Sequence, residues 1–207
     1  RGSGKSALHV GATFCPHQAK CVVCDGGFAP CPHCRLAQGD GETAAAVCAA
    51  WRGAGRALPT LFLDFDRSFC STRSGGSPLI GWHSLDADLA DLASECVTHV
   101  VTRNSHADDI KAFLAQRGVP CASVAVVPKG TSKAAAMLAL LPGIAHAGSA
   151  PSGGGGGGEV AEAAEAPPVA HAARAVFVDD GVRECCDERV AALPGLYRVL
   201  FRRGAVV

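Results

Sequence analysis

Short apolar runs alternate with stretches of helical spacing from about residue 58 onward. LPTLFLDF is apolar until it ends in acids, and it reads as a buried strand over about 60–64. THVVT predicts a second strand over 98–102, ASVAVV a third over 122–127, AVFVDD a fourth over 175–180 and LYRVLF a fifth over 196–201. Between them, Ile110, Phe113 and Leu114 recur at helical spacing, which predicts a helix over 105–117 that stops at Gly118. A further helix is expected over 131–141, capped by Thr131 or Ser132 and ended by Pro142, and another over 181–191. Residues 84–93 read as a helix as well, and the Ala-rich stretch 42–57 as one that starts near Asp40 or Thr43.

Strands that are nearly all apolar and alternate with helices predict a parallel sheet covered on both faces. The expected fold class is therefore α/β, a three-layer Rossmann-like domain over 58–207, preceded by a small Cys-rich module over 15–40 and a connecting helix over 41–57. Residues 1–14 read as a linker or fragment. The stretch 146–173 holds six consecutive glycines followed by an Ala/Glu/Pro tract, and reads as a disordered insertion. In parallel sheets, reactive groups collect at the carboxyl ends of the strands. Here those ends carry Asp64, Thr102 and Asp179.

Composition adds limits. The 207 residues are 48% hydrophobic, enough to bury a core. The formal net charge is zero, which removes the simplest argument for nucleic acid as a partner. No apolar run reaches the ~18–20 residues of a membrane span, so no membrane association is expected. No secretory signal is visible, but the chain opens on Arg rather than Met, so that carries little weight.

The chemistry centres on LFLDFDRSF. Two acids lie two positions apart where a strand gives way to a loop, so Asp64 can face a phosphorus atom while Asp66 sits beside the leaving oxygen. That pairing suits a carboxylate nucleophile and a second carboxyl that donates, then accepts, a proton. Carboxylates this close repel each other, and a divalent cation such as magnesium would relieve the repulsion.

At these residues the chain resembles the haloacid dehalogenase superfamily of phosphatases. LDFDRS resembles the first motif of that family, VVTRNS the second, PKGTSKAAAML the third and VFVDDGVRE the fourth, in the family's order over about residues 58–203. The resemblance implies a phosphohydrolase that works through an aspartyl-phosphate on Asp64, with Asp66 as acid and base. Thr102 would hold the transferring phosphoryl, and a lysine would neutralise it. Lys133 opens a helix and fits that part; Lys129 is the alternative. Magnesium would be held by Asp64, the Asp66 backbone carbonyl and Asp179, with Asp180 nearby. Ser68, Arg103 and Asn104 would lie beside the substrate. Ser68 stands where Thr is usual and Arg67 where Gly or Asn is frequent.

Many members of that family carry a cap domain. Here the stretch between Asp66 and Thr102 leaves room only for the 84–93 helix and a hairpin flap over 70–83. Within that family open sites tend to serve macromolecules, so the resemblance implies a phosphorylated macromolecule as substrate, either a phosphoprotein or a nucleic-acid end. Arg73 and Trp82 stand on the flap, and Trp82 is expected to pack it onto the domain. Two other readings stay open. One is a phosphotransferase; the other is a binding or scaffold module with little turnover, using the Cys-rich segment for protein or nucleic-acid contacts.

Five of the 11 cysteines fall between residues 15 and 34. Cys21, Cys24, Cys31 and Cys34 form two CxxC pairs that can close a tetrahedral structural zinc site, with Cys15 as an alternative ligand. Clustering of this kind favours metal and an intracellular reducing compartment over a disulfide framework. Cys185 and Cys186 read as small buried apolar residues rather than ligands. RGSGKSA ends like a phosphate-binding loop, but no strand precedes it and no strong helix follows, so it reads as linker.

Overall fold

The computed structural model describes residues 36–53, 58–73, 75–141 and 175–203. Its elements run β1 (Leu36–Gly39), α1 (Gly41–Gly53), β2 (Thr60–Leu63), α2 (Ala87–Glu95), β3 (Thr98–Thr102), α3 (Ala107–Gln116), β4 (Ser123–Val126), α4 (Ala134–Leu140), β5 (Ala175–Asp179), α5 (Val182–Cys185), α6 (Glu188–Ala191) and β6 (Leu196–Phe201). The six strands form one sheet in the order β1-β6-β5-β2-β3-β4, and every neighbouring pair is parallel.

Alternation along each strand divides the core in two. Leu61 and Leu63 of β2, Val176 and Val178 of β5, and Val199 and Phe201 of β6 pack on one face with α1, α2 and α3. Phe62, Ala175, Phe177, Leu196 and Leu200 pack on the other with α4, α5 and α6. Successive strand residues point to opposite faces, so strands covered on both sides are apolar at most positions, with Thr98, His99 and Arg198 among the buried polar exceptions. Phe62 and Phe177 are fully buried, and each such side chain contributes roughly 1.5–3 kcal/mol. This is the expected α/β fold: a parallel sheet with helices on both faces.

Local signals explain the helix bounds. Asp86 caps α2 by accepting a hydrogen bond from the Leu89 backbone N–H (3.1 Å), and Leu89, Leu92 and Ala93 form its buried stripe. At the end of α3, Gly118 adopts a left-handed φ of 69°. The N–H of Val119 then reaches the Leu114 carbonyl (3.0 Å) and that of Gly118 the Ala115 carbonyl (3.1 Å), a Schellman closure.

The structure departs from the sequence reading in three places. Residues 36–39, expected within the Cys-rich module, are an edge strand paired with β6, and α1 packs on α2 and the sheet. The sheet domain thus includes residues well before 58. LAQG is too short and too mixed to announce a strand: only Leu36 and Ala37 are buried, on opposite faces. The helix expected over 181–191 is two short ones, because Asp187 turns its carboxylate back onto the N–H groups of Arg189 (2.9 Å) and Val190 (3.0 Å) and starts α6 afresh. Trp82 does not pack against the domain; it is 98% exposed. The flap is closed at its base by the antiparallel bridge between Cys70 and Leu85, and no strand longer than that bridge forms there among the described residues. The expected cysteine ligands Cys15, Cys21, Cys24, Cys31 and Cys34, the 1–14 segment and the expected 146–173 insertion lie outside the described residues. No described helix is long and apolar enough to cross a membrane.

Candidate active site

In chain order β2 leads to β3 on one side of the sheet, while β5 leads to β6 on the other. The point between β2 and β5 is where such sheets open a crevice at their carboxyl ends. Both strands end there in an acid. The backbone N–H of Asp64 still donates to the Val178 carbonyl (2.8 Å), so the pairing that builds the sheet also sets Asp64 next to Asp179.

Lys133 joins these two acids. It sits just ahead of α4, is 1% exposed, and its Nζ donates to Asp64 Oδ1 at 2.6 Å and to Asp179 Oδ2 at 2.7 Å. It also lies 5.6 Å from the centre of the Phe177 ring. Lys129, by contrast, is exposed and lines the cavity wall without touching either acid through a hydrogen bond. The expected cap residue Ser132 does accept from the Ala134 N–H (3.2 Å), while its hydroxyl donates to Asp187 (2.8 Å).

Asp66 faces a different set of partners. Its carboxylate accepts from Thr72 Oγ1 (2.7 Å), from the Gly75 backbone N–H (2.8 Å) and from Asn104 Nδ2 (3.0 Å). Gly75 holds a φ of 80°, where a side chain is strained, and that conformation aims its N–H at Asp66. Asn104 also donates to the Gly76 carbonyl (2.7 Å), and its own backbone N–H is received by Thr102 Oγ1 (3.1 Å). The flap and β3 are thus pinned together through Asp66.

A cavity of about 320 Å³ opens over these groups. Asp64, Asp66, Thr102, Arg103, Lys133, Asp179 and Asp180 all line it. Ser68 and Asn104, expected to touch substrate, are instead fully buried and absent from its wall. Ser68 accepts the Asp180 N–H (2.9 Å) and lies 3.5 Å from both Asp64 Oδ2 and Asp180 Oδ1, so it holds the two acidic loops together. A hydroxyl is enough for that task, whether from Ser or Thr. Arg103 lines the cavity but is engaged with Glu184 (2.7 Å) and with the carbonyls of Pro128 and Thr131. Thr72, Gly75 and Glu184 had not been singled out from the sequence. The glycine pair in STRSGG and the acid one turn after VFVDD were the available signals. Arg67 has a left-handed φ of 63°, which accounts for a preference for Gly or Asn at such a position.

Burial raises Asp64 to about 7; Lys133 pulls it down, and Asp179 and Asp180 push it up. Asp179 is raised by burial too, against the pull of Lys133 and the Gly181 N–H. Asp180 is raised by burial, with Arg67 and Lys133 opposing. Burial alone would lower Lys133, but Asp64 and Asp179 outweigh it and hold the ammonium charged.

One oxygen each from Asp64, Asp179 and Asp180 lies within 4.8 Å of the others. Three carboxylates crowd together here, two of them buried, and Lys133 bridges only Asp64 and Asp179. An all-oxygen donor set of that charge fits a hard divalent cation such as magnesium.

No protein-family model, no curated protein and no solved structure matches this chain.

Proposed function

We propose that this protein is a magnesium-dependent phosphohydrolase of the haloacid dehalogenase type, acting on a phosphomonoester through an aspartyl-phosphate on Asp64. The observation that carries the reading is Lys133 bridging Asp64 and Asp179 at the ends of two neighbouring strands, with Asp66 held toward the same cavity. A buried ammonium beside a carboxylate nucleophile serves an incoming phosphoryl dianion, whose charge it meets as the bond forms.

In the first step an Asp64 oxygen attacks phosphorus and the ester P–O bond breaks. Asp66 gives its proton to the departing alkoxide. In the second step Asp66 takes a proton from water, the water oxygen bonds to phosphorus, and the bond to Asp64 breaks, releasing inorganic phosphate. Thr72 suits this exchange because a hydroxyl can donate to the carboxylate form of Asp66 and accept from the acid form. Thr102 and Lys133 face the transferring group. Asp64, Asp179 and Asp180 would hold magnesium, with the Asp66 carbonyl as a further ligand; when bound, the ion would neutralise charge on the phosphoryl oxygens. Zinc on Cys21, Cys24, Cys31 and Cys34 stays part of the proposal, in a structural role.

Among the described residues only a loop joins β2 to α2 and only a short one joins β4 to α4, so no folded cap covers the site from either. That openness supports a macromolecular substrate. The test is magnesium-dependent phosphate release from an aryl phosphate by the wild type and by Asp64→Asn. Loss of turnover in a variant that still folds cooperatively is expected. Equal turnover in the two proteins would refute Asp64 as nucleophile, and a folded wild type without turnover would favour the scaffold reading.

A further inference from the structure

Beside the catalytic cavity lies a second one of about 560 Å³. The two share Arg103, Lys129 and Glu184 in their walls, so they adjoin. One side of the second cavity is the loop before α4, and the other is formed by α5 and α6.

The charges on this wall are not balanced. Arg103 is paired with Glu184 at 2.7 Å. Asp187 is occupied by Ser132 and by the start of α6, and the nearby Arg189 helps lower its carboxyl, after those hydrogen bonds, against burial. Lys129, Arg183 and Arg189 are all exposed, with no side-chain hydrogen bond or ion pair among the described residues, and they outnumber the two carboxylates left on the wall, Asp187 and Glu188. Guanidinium groups present a planar fork that matches phosphate oxygens, and an unpaired one costs little to engage. Lys129, which the catalytic reading leaves without a part, stands where the two cavities meet.

We propose that Lys129, Arg183 and Arg189 form a second anion subsite that takes the phosphodiester adjoining a terminal phosphomonoester, so that the substrate is the phosphorylated end of a nucleic-acid strand. This rests on the phosphohydrolase reading and narrows it. A second anion beside the scissile phosphate is obligatory at a strand end, whereas in a phosphopeptide it depends on the neighbouring side chains. A subsite for that anion therefore favours the nucleic acid. The zero net charge of the chain fits reading one further phosphate rather than tracking a long backbone.

The experiment uses the full chain with magnesium. It compares kcat/KM for an aryl phosphate, a thymidine monophosphate, thymidine dinucleotides phosphorylated at the 3′ or 5′ end, and peptides bearing one or two phosphoserines. The wild type should favour one of the dinucleotides over the monophosphate by about tenfold, the lower range for charged hydrogen bonds at an exposed site. In Arg183→Ala/Arg189→Ala that ratio should fall to about one. A ratio near one in the wild type, or one that survives in the double variant, overturns the subsite. A preference for the doubly phosphorylated peptide without one for either dinucleotide overturns the nucleic-acid assignment. Absence of aryl phosphate hydrolysis is a separate result that removes the phosphohydrolase reading itself.

Discussion

Replacing Lys133 by Met keeps most of the side-chain volume and removes the ammonium. The two contacts it makes are short, 2.6 and 2.7 Å, and its side chain is 1% exposed. At an effective dielectric of about 20, each attraction amounts to about 6 kcal/mol before desolvation is counted. Desolvation of the ammonium takes back much of that, and truncating one partner of a buried ion pair costs about 3–5 kcal/mol. The melting temperature should therefore fall by roughly 6–20 °C, at about 2–4 °C per kcal/mol. The loss should depend on pH in a fixed direction. Asp64 in the folded chain is raised from 3.8 to about 7, so its share of stability is full at low pH and fades as pH rises toward 7. Lys133 restrains that rise; without it Asp64 and Asp179 go higher still, and the gap between variant and wild type widens from acid to alkaline pH. Magnesium at about a hundred times its Kd should restore about 2.7 kcal/mol to the variant. Thermal unfolding at about pH 5.5 and about pH 8, with Lys129→Met as the exposed control, measures all of this. The control should stay within about 0.5 kcal/mol of wild type. If the two variants melt alike, or if the Lys133→Met loss is the same at both pH values, the buried bridge is not what holds the acids together.

Two further substitutions separate positioning from packing. Asn104→Ala removes the donor to Asp66 and to the Gly76 carbonyl, so it should cost about 1–3 kcal/mol in denaturant unfolding and lower kcat about tenfold to a hundredfold with KM little changed; a rise in KM alone would place Asn104 at the substrate instead. Trp82→Ala should leave unfolding within about 0.5 kcal/mol of wild type because the ring is exposed, and a loss above about 2 kcal/mol would restore the packed flap expected from the sequence.

Most of the sheet was legible because burial on both faces leaves a strong signal. β2, β3, β5 and β6 are mostly apolar, with Thr98, His99 and Arg198 as buried polar exceptions, and the first three lead into or end in Asp64, Thr102 and Asp179, which is why the sequence alone points to one edge of the sheet. Lys133 was legible through its position at a helix start. What failed were features decided across space. Asn104 meets Asp66 across 38 positions of sequence, and nothing local marks it as a brace rather than a substrate contact. β1 is recognisable only by what it pairs with. Trp82 misled because a large aromatic ring is usually buried, and its exposure depends on where the flap runs.

The arrangement of the acids follows from strand register rather than from the motifs taken singly. Leu63 pairs with Val178, so the next residues along, Asp64 and Asp179, arrive side by side at the end of the sheet. A slip of one residue between β2 and β5 would send every side chain of one strand to the opposite face. If β2 slipped, Leu61 and Leu63 would exchange cores with Phe62, and Asp64 would turn from Lys133. The packing of two apolar layers therefore enforces the spacing of the charged groups above them. The electrostatic cost of crowding Asp64, Asp179 and Asp180 is borne by a core whose residues take no part in the chemistry. On this reasoning the cluster can tolerate its excess negative charge in the resting protein, and a cation or a phosphate that enters finds its partners already in place.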